Sequence, residues 1–368
     1  MSDRSIPWWT PTVGDGEYAL VRDVLASDYL NEGEVTSRFE REIAALVGAR
    51  HAVATTSGTS ALFLALAALG IGHGDEVIVP DLTFIASANA VTLTGATPVL
   101  VDVDRATLTM SPEAFQRAIS PRTRAVMPVH VSGRAADLPA IGAIAKARGI
   151  PIVEDAAEAL TSRVGGRALG TIGVAGCLSF SPNKTITTGQ GGMVLTDDDA
   201  LHGRLRELKD QGRPVRGTGG DDVHHRVGFN FKLTNLQAAV GLGQLAYLRE
   251  RLDRQKRNYD IYARGLAGLE GLRLPGFNVA GGEVPLWTDA IVEQRDTLDR
   301  FLEARRMHCR RFWFPLHTQA PYRQPDDRFP GAVWAGPRAL WLPSAFTLTD
   351  DDVDRVVAAV RECLKGAH

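Results

Sequence analysis

Lys184 stands in the run Ser179-Phe-Ser-Pro-Asn-Lys184-Thr-Ile-Thr-Thr-Gly189-Gln-Gly-Gly192-Met-Val, between two apolar, strand-like stretches. Burial disfavours the charged form of an amine, and a neutral lysine is a nucleophile that can form a Schiff base with a carbonyl. The glycines that follow allow a tight loop beside a ligand. The ordinary alternative is an exposed loop lysine, the usual place for this residue type. A second candidate is Asp155, which ends the apolar run Pro151-Ile-Val-Glu-Asp and is followed by Ala-Ala-Glu158. A carboxylate at a strand terminus can hold a protonated ring nitrogen; it can equally cap a helix, with Glu158 a solvated acid. The third candidate is Thr56-Ser57-Gly58-Thr59-Ser60, ahead of an apolar helical stretch. Free N–H groups and hydroxyls at a helix start cradle phosphate, although Ser and Thr also cap helices that bind nothing.

The elements that must position these residues show in the alternation of patterns. His51-Ala-Val-Ala-Thr-Thr, Glu76-Val-Ile-Val-Pro, Thr97-Pro-Val-Leu-Val-Asp, Arg124-Ala-Val-Met-Pro-Val and Pro151-Ile-Val-Glu-Asp read as strands. Between them, Thr59 to Leu69, Ile85 to Leu93, Pro112 to Ile119 and Leu138 to Arg148 read as helices. Such βαβ units imply an α/β fold whose mostly parallel sheet is covered on both faces, with ligand sites beyond the carboxyl ends of the strands. Gly176-Cys-Leu-Ser-Phe and Gly192-Met-Val-Leu-Thr add two strand candidates. A polar, glycine-rich stretch from Gly212 to Asp222 precedes a long helical region from Asn235 to about Leu266. Pro, Gly and aromatic residues then increase, and a helix at Asp350 to Leu364 closes the pattern. The change divides the chain into a large unit, residues 1–250, and a smaller one, residues 251–368.

Charge and composition exclude several functions. The 41 Lys and Arg against 43 Asp and Glu leave a net charge of −2, without the basic field that nucleic acid requires. Cys177, Cys309 and Cys363 are odd in number and form no Cys-x-x-Cys, which argues against a disulfide framework or a thiolate metal site and for a reducing compartment. The first residues lack the apolar core of a signal peptide, and the longest apolar run, Ala61 to Leu69, is far short of the roughly 20 residues of a membrane helix. A cytoplasmic chain without metal or membrane is expected. Walker A, Gly-x-Gly-x-x-Gly, His-Glu-x-x-His and Gly-x-Ser-x-Gly motifs are missing, so nucleotide hydrolysis, zinc hydrolysis and α/β-hydrolase chemistry lose support.

In this order, a phosphate cup, a strand-end aspartate and a lysine are the parts a pyridoxal phosphate site needs. The chain resembles the DegT/DnrJ/EryC1/StrS family of sugar aminotransferases, which are fold-type I pyridoxal phosphate enzymes. The resemblance is carried by Ser57-Gly-Thr-Ser-Ala-Leu, Gly74-Asp-Glu-Val-Ile-Val-Pro, Thr83-Phe-Ile-Ala-Ser-Ala-Asn-Ala and Gly95-Ala-Thr-Pro-Val-Leu-Val-Asp. It continues through Pro128-Val-His, Glu154-Asp-Ala-Ala-Glu-Ala, Ser179 to Gly192 and Gly228-Phe-Asn-Phe-Lys-Leu-Thr-Asn-Leu-Gln-Ala-Ala. It implies a three-layer αβα large domain of the aspartate aminotransferase type and a smaller C-terminal α+β domain. By that resemblance, Lys184 is the lysine that carries the cofactor and Asp155 the carboxylate that keeps its pyridine nitrogen protonated. Phe84 falls where an aromatic ring covers the pyridine face, or is a core phenylalanine. Ser57, Gly58, Thr59 and Ser179 match phosphate contacts. Asn230 matches a phosphate contact made from the second subunit of a homodimer with shared active sites, or is a turn asparagine. Glu158 stands where many members have Gln or His, and resembles the perosamine synthase-like branch.

The reaction so implied is ping-pong transamination, from L-glutamate through pyridoxamine phosphate to a keto group of a nucleotide-linked deoxysugar. The segment Arg306 to Tyr322 resembles the one that faces the nucleotide-sugar, which makes Arg310, His317 and Tyr322 candidate substrate contacts; Asn31, in Asn31-Glu-Gly, is a fourth. Phe312, Trp313 and Phe314 fit a packed aromatic cluster equally well. Two alternatives share the fold: a pyridoxal phosphate sugar dehydratase, in which histidine replaces the lysine, and a non-catalytic regulatory protein. Lys184 counts against the first, and the intact Lys184, Asp155 and Ser57-Gly58-Thr59 set against the second.

Overall fold

The fold is that of a computed structural model, which describes residues 4–214 and 222–365; most of the glycine-rich stretch from Gly212 to Asp222 lies outside them. Strands line up in the order Thr97–Val101, Glu76–Pro80, Thr123–Val126, Val153–Asp155, Ala175–Ser179, Gly192–Thr196 and His51–Thr55. The bridges Val126–Ile152 and Val129–Asp155 join the first three strands to the other four. All run parallel except Gly192–Thr196, which is antiparallel to both neighbours. The apolar runs Val77-Ile78-Val79 and Met193-Val194-Leu195 are wholly buried, because helices cover both faces of the sheet.

The helix Gly58–Ala68 is apolar on nearly every side and buried accordingly, packed on Ala175–Ser179 and Gly192–Thr196 and flanked by Ala86–Leu93 and Asp199–Lys209. Ser57 starts it with a reciprocal cap: its Oγ accepts from the Ser60 amide at 3.1 Å, and Ser60 Oγ accepts from the Ser57 amide at 2.9 Å. Gly192 lets the strand end reach this cap, since a Cβ there would stand 2.1 Å from Ser57 O.

A second, antiparallel sheet runs Leu272–Arg273, Thr288–Val292, Ala339–Leu342, Arg310–Arg311. Ile261, Leu298, Val353, Val356 and Val360 pack over it from three helices, Leu248–Gly265, Arg295–Glu303 and Asp350–Lys365. The expected long helix from Asn235 is two, Asn235–Leu245 and Leu248–Gly265, broken at Ala246-Tyr247. The first packs on Asp15–Ala26 and Glu34–Val47, whereas the second packs beside Asp350–Lys365. Ile6, assigned by the sequence to the large unit, is fully buried in this second core; its amide donates to Arg306 O at 2.8 Å, and its carbonyl accepts from His308 N at 2.9 Å.

Successive strand residues face opposite ways, so Glu154 and Asp155 serve different sides of the sheet. Glu154 is fully buried and accepts from the amides of Gly170, Ile172 and Gly173 at 2.8, 2.6 and 2.6 Å. His130 Nε2 lies 3.0 Å from the same carboxylate, while Nδ1 accepts from the Ala136 amide at 3.1 Å, which assigns the ring proton to Nε2. Burial alone would raise the Glu154 carboxyl, but His130 and these amides hold it below its ordinary 4.5. A group with its folded pKa below the unfolded one stabilises the protein above pH 4.5, and the contribution is lost as pH falls. Glu154→Ala, which strands three buried amides, should cost about 3 kcal/mol or more in urea unfolding at neutral pH. Glu154→Gln should lose less, and its stability should decline less than that of wild type on acidification below pH 4.5. A Glu154→Ala protein as stable as wild type would contradict this.

Candidate active site

A cavity of about 400 Å³ opens at the carboxyl ends of the central strands. Its floor is the start of the helix Gly58–Ala68, where the amides of Gly58 and Thr59 precede the first intrahelical acceptors and remain available to an anion. A Cβ on Gly58 would lie 2.9 Å from Ser179 Cβ, so the glycine allows the Ser179 hydroxyl to close on this cup. Asp155 and Glu158 enter after the strand Val153–Asp155, Lys184 from the loop after Ala175–Ser179, and Arg310 from the second sheet. Phe84 presents a ring that is 52% exposed, a large apolar face left open inside the cavity rather than packed in a core.

Lys184 is no exposed loop lysine: its side chain is 11% exposed, and Nζ lies 3.2 Å from Glu158 Oε1 and 4.8 Å from the Trp287 ring centroid. Burial pushes the Glu158 carboxyl up, opposed by the charge of Lys184. The second Glu158 oxygen accepts from the Ser132 amide at 2.8 Å. Ser132 holds the left-handed conformation (φ 54°), a strained choice for a non-glycine residue, and this aims its amide at Glu158. Its hydroxyl donates to Asp289 Oδ1 at 2.6 Å and accepts from Trp341 Nε1 at 3.0 Å.

Asp155 is 5% exposed, and among the described residues its carboxylate accepts from neutral donors alone, Ser87 Oγ at 2.7 Å and the Ala157 amide at 3.2 Å. Burial pushes its carboxyl above the ordinary range, and Ser87 and Ala157 offset this only in part. A buried carboxylate without a bonded cation, a neighbouring amine, a helix N-terminus fit for a phosphate and an open aromatic face match the parts of pyridoxal phosphate: ring nitrogen, aldehyde, phosphate and ring plane. The residues present fit the group.

Thus Ser57, Gly58, Thr59, Phe84, Asp155, Glu158, Ser179, Lys184 and Arg310 are brought to one cavity, and four candidates are not. His317 is fully buried and does not line the cavity. Its amide and Nδ1 reach the two oxygens of Asp81 at 2.7 and 2.6 Å, its ring stacks on Phe329, and Nε2 lies 3.3 Å from Asp326. It ties the second unit to the strand end that precedes Phe84. Tyr322 does similar work, its hydroxyl donating to Asn89 Oδ1 at 2.6 Å on the helix that follows Phe84. Asn31 and Asn230 are exposed outside the cavity, Asn230 bridged to Asp210. Of the aromatic trio, Phe312 and Trp313 pack on Trp341 at 4.3 and 4.9 Å, but Phe314 is 70% exposed.

Tryptophans complete the site, and of them Trp313 alone is singled out by the sequence. Trp287, Trp313 and Trp341 wall it, and Trp8 packs on Trp287 and Trp341 at 5.3 and 5.9 Å. Trp9 Nε1 donates to Pro182 O at 3.0 Å, in the loop of Lys184. The pair Trp8-Trp9 was the one available hint, as two adjacent tryptophans of only six in the chain.

A profile of the DegT/DnrJ/EryC1/StrS aminotransferase family matches residues 11–361. GDP-perosamine synthase of Caulobacter vibrioides (strain ATCC 19089 / CIP 103742 / CB 15) is 38% identical over 368 residues, covering 96% of this chain and 97% of that protein. The crystal structure of S. venezuelae DesV in complex with a ketimine intermediate superposes with a TM-score of 0.90 at 38% identity, over 95% of this chain and 94% of that one. The structure of DesI in the presence of its TDP-sugar product gives 0.90 at 31% identity, over 100% and 94%. The cavity chemistry and these matches agree: the chain belongs to the DegT/DnrJ/EryC1/StrS aminotransferase family and is a pyridoxal phosphate-dependent enzyme.

Proposed function

We propose that the enzyme transfers the amino group of L-glutamate to a keto group of a nucleotide-linked deoxysugar, in cytoplasmic amino-sugar biosynthesis, as a homodimer with shared sites. The observation that carries the reading is Lys184 Nζ, 3.2 Å from Glu158, in one buried cavity with Asp155. The names GDP-perosamine synthase and TDP-sugar product, borne by relatives that match nearly the whole chain, support the acceptor class. When bound, pyridoxal phosphate supplies a carbonyl carbon that takes and returns the amine and a ring that draws electrons from the donor's α-carbon.

Asp155 holds a proton on the ring nitrogen, for which its buried carboxylate is suited because no cation among the described residues is bonded to it. Lys184, displaced by the donor amine, takes the α-proton as general base. Glu158, itself fixed by the Ser132 amide, keeps that amine in the cavity. Ser57, Gly58, Thr59 and Ser179 bind the phosphate, with the helix dipole assisting. The indoles of Trp287 and Trp341 exclude water beside the lysine. Asn230 is exposed and outside its own chain's cavity, a position open to a neighbouring subunit's phosphate.

Lys184→Ala should abolish the visible band of the lysine–cofactor Schiff base and lower turnover about a thousandfold or more, with circular dichroism unchanged. Wild-type activity in that variant would remove the transaminase reading. Asp155→Asn should still capture the cofactor but slow the half-reaction with L-glutamate about a hundredfold or more in stopped-flow, because a neutral amide no longer stabilises the ring proton. An unchanged rate would disprove that role. For the shared site, equimolar Lys184→Ala and Asn230→Asp proteins should be unfolded and refolded together. Half the dimers are then mixed with one intact site each, so activity should return to about a quarter of wild type. Recovery no greater than the two parent variants, with dimers confirmed by sedimentation, would place Asn230 in its own subunit's service or in none.

A further inference from the structure

Among the described residues, four charged side chains line the cavity, Asp155, Glu158, Lys184 and Arg310, and three are accounted for by the chemistry above. Arg310 differs from its strand neighbour. Arg311 pairs with Asp299 at 3.0 Å and Asp296 at 3.4 Å, whereas among the described residues no carboxylate is paired with Arg310. Its guanidinium instead lies 4.8 Å from the Trp8 ring centroid and 5.9 Å from that of Trp341. Indole faces hold a guanidinium in place by cation–π attraction while leaving its fork of N–H donors free. Trp341 is also the cross-strand partner of Arg310, and its indole N–H is fixed by Ser132, the residue whose amide holds Glu158 beside Lys184. One framework therefore carries both cations of the cavity.

We infer that Arg310 receives the carboxylate of the amino donor, an inference that rests on the transaminase reading. An α-amino acid brings its carboxylate one carbon from the nitrogen exchanged at Lys184. That charge must enter a cavity that already contains the acids Asp155 and Glu158. Lys184 is engaged by Glu158 and by the reaction, and Arg310 is the cation that remains. A keto-sugar places no charge beside its reacting carbon. Its diphosphate hangs from the anomeric carbon, separated from the reacting carbon by part of the sugar ring.

The test uses the holoenzyme and its Arg310→Gln and Arg310→Lys variants. Calorimetry measures binding of glutarate, which carries the donor's two carboxylates without the amine, and of GDP. Bleaching of the visible band by L-glutamate is titrated in parallel. Arg310→Gln should weaken glutarate about tenfold or more, as expected for loss of a charge-assisted, bidentate contact, and raise the L-glutamate midpoint with it. Arg310→Lys should recover part of the loss, and GDP affinity should not change. Unchanged glutarate binding, a wild type that does not bind glutarate, or a loss confined to GDP would each overturn the assignment, the last by moving Arg310 to the diphosphate. A wild type that L-glutamate does not bleach would instead overturn the donor assigned above. Since Arg310 is exposed, both variants should retain the wild-type circular dichroism and unfolding midpoint.

Discussion

A carboxylate that is 5% exposed and, among the described residues, bonded to just a serine hydroxyl and an amide is the constraint on which this structure turns. Asp155 is costly to bury in the charged form without a cation in contact, and the protein around it is arranged to keep it there. The strand that ends in Asp155 is held from its other face by Glu154, which gathers three amides and His130. Ser87, on the helix after Phe84, reaches Asp155 across the sheet end. A cationic ring nitrogen supplies what the site lacks, which links the electrostatics of one strand end to the choice of cofactor.

The second unit contributes rigidity as well as Arg310. Trp341 and Asp289 bond Ser132, and the strained Ser132 backbone aims an amide at Glu158, which meets Lys184. His317 and Tyr322 tie the same unit to Asp81 and Asn89, on either side of Phe84 in the chain. The tryptophans close the gap between the two sheets, with Trp8 brought from the start of the chain by Ile6, buried in the second core. Glu158 and Lys184, set beside the first sheet, are thereby braced by side chains of the second.

The parts legible in the sequence are those whose chemistry is local. The βαβ alternation, the helix start at Ser57-Gly58-Thr59, the strand-end Asp155 and the Lys184 loop each lie within a few residues, and the structure brings them together. What escaped depends on contacts between distant segments. Trp8 meets Trp287 and Trp341 by tertiary packing, and no periodicity announces such a wall. Ser132 is an unremarkable serine until its φ of 54° is known. His317 entered only through the resemblance of its segment, and the partner that buries it, Asp81, follows the strand Glu76–Pro80, far from it in the chain. The break at Ala246-Tyr247 was hidden because both flanking segments have good helical patterns, and only their different packing partners separate them.

The central claim is that Asp155 is a buried counter-ion for a protonated ring nitrogen. NMR of the holoenzyme prepared with pyridoxal phosphate labelled at that nitrogen tests it most directly, at a pH where the free cofactor has lost its ring proton. The account expects the nitrogen to remain protonated in the wild type and to lose its proton in Asp155→Asn. A deprotonated ring nitrogen in the wild type, or the same protonated signal in both proteins, would contradict it.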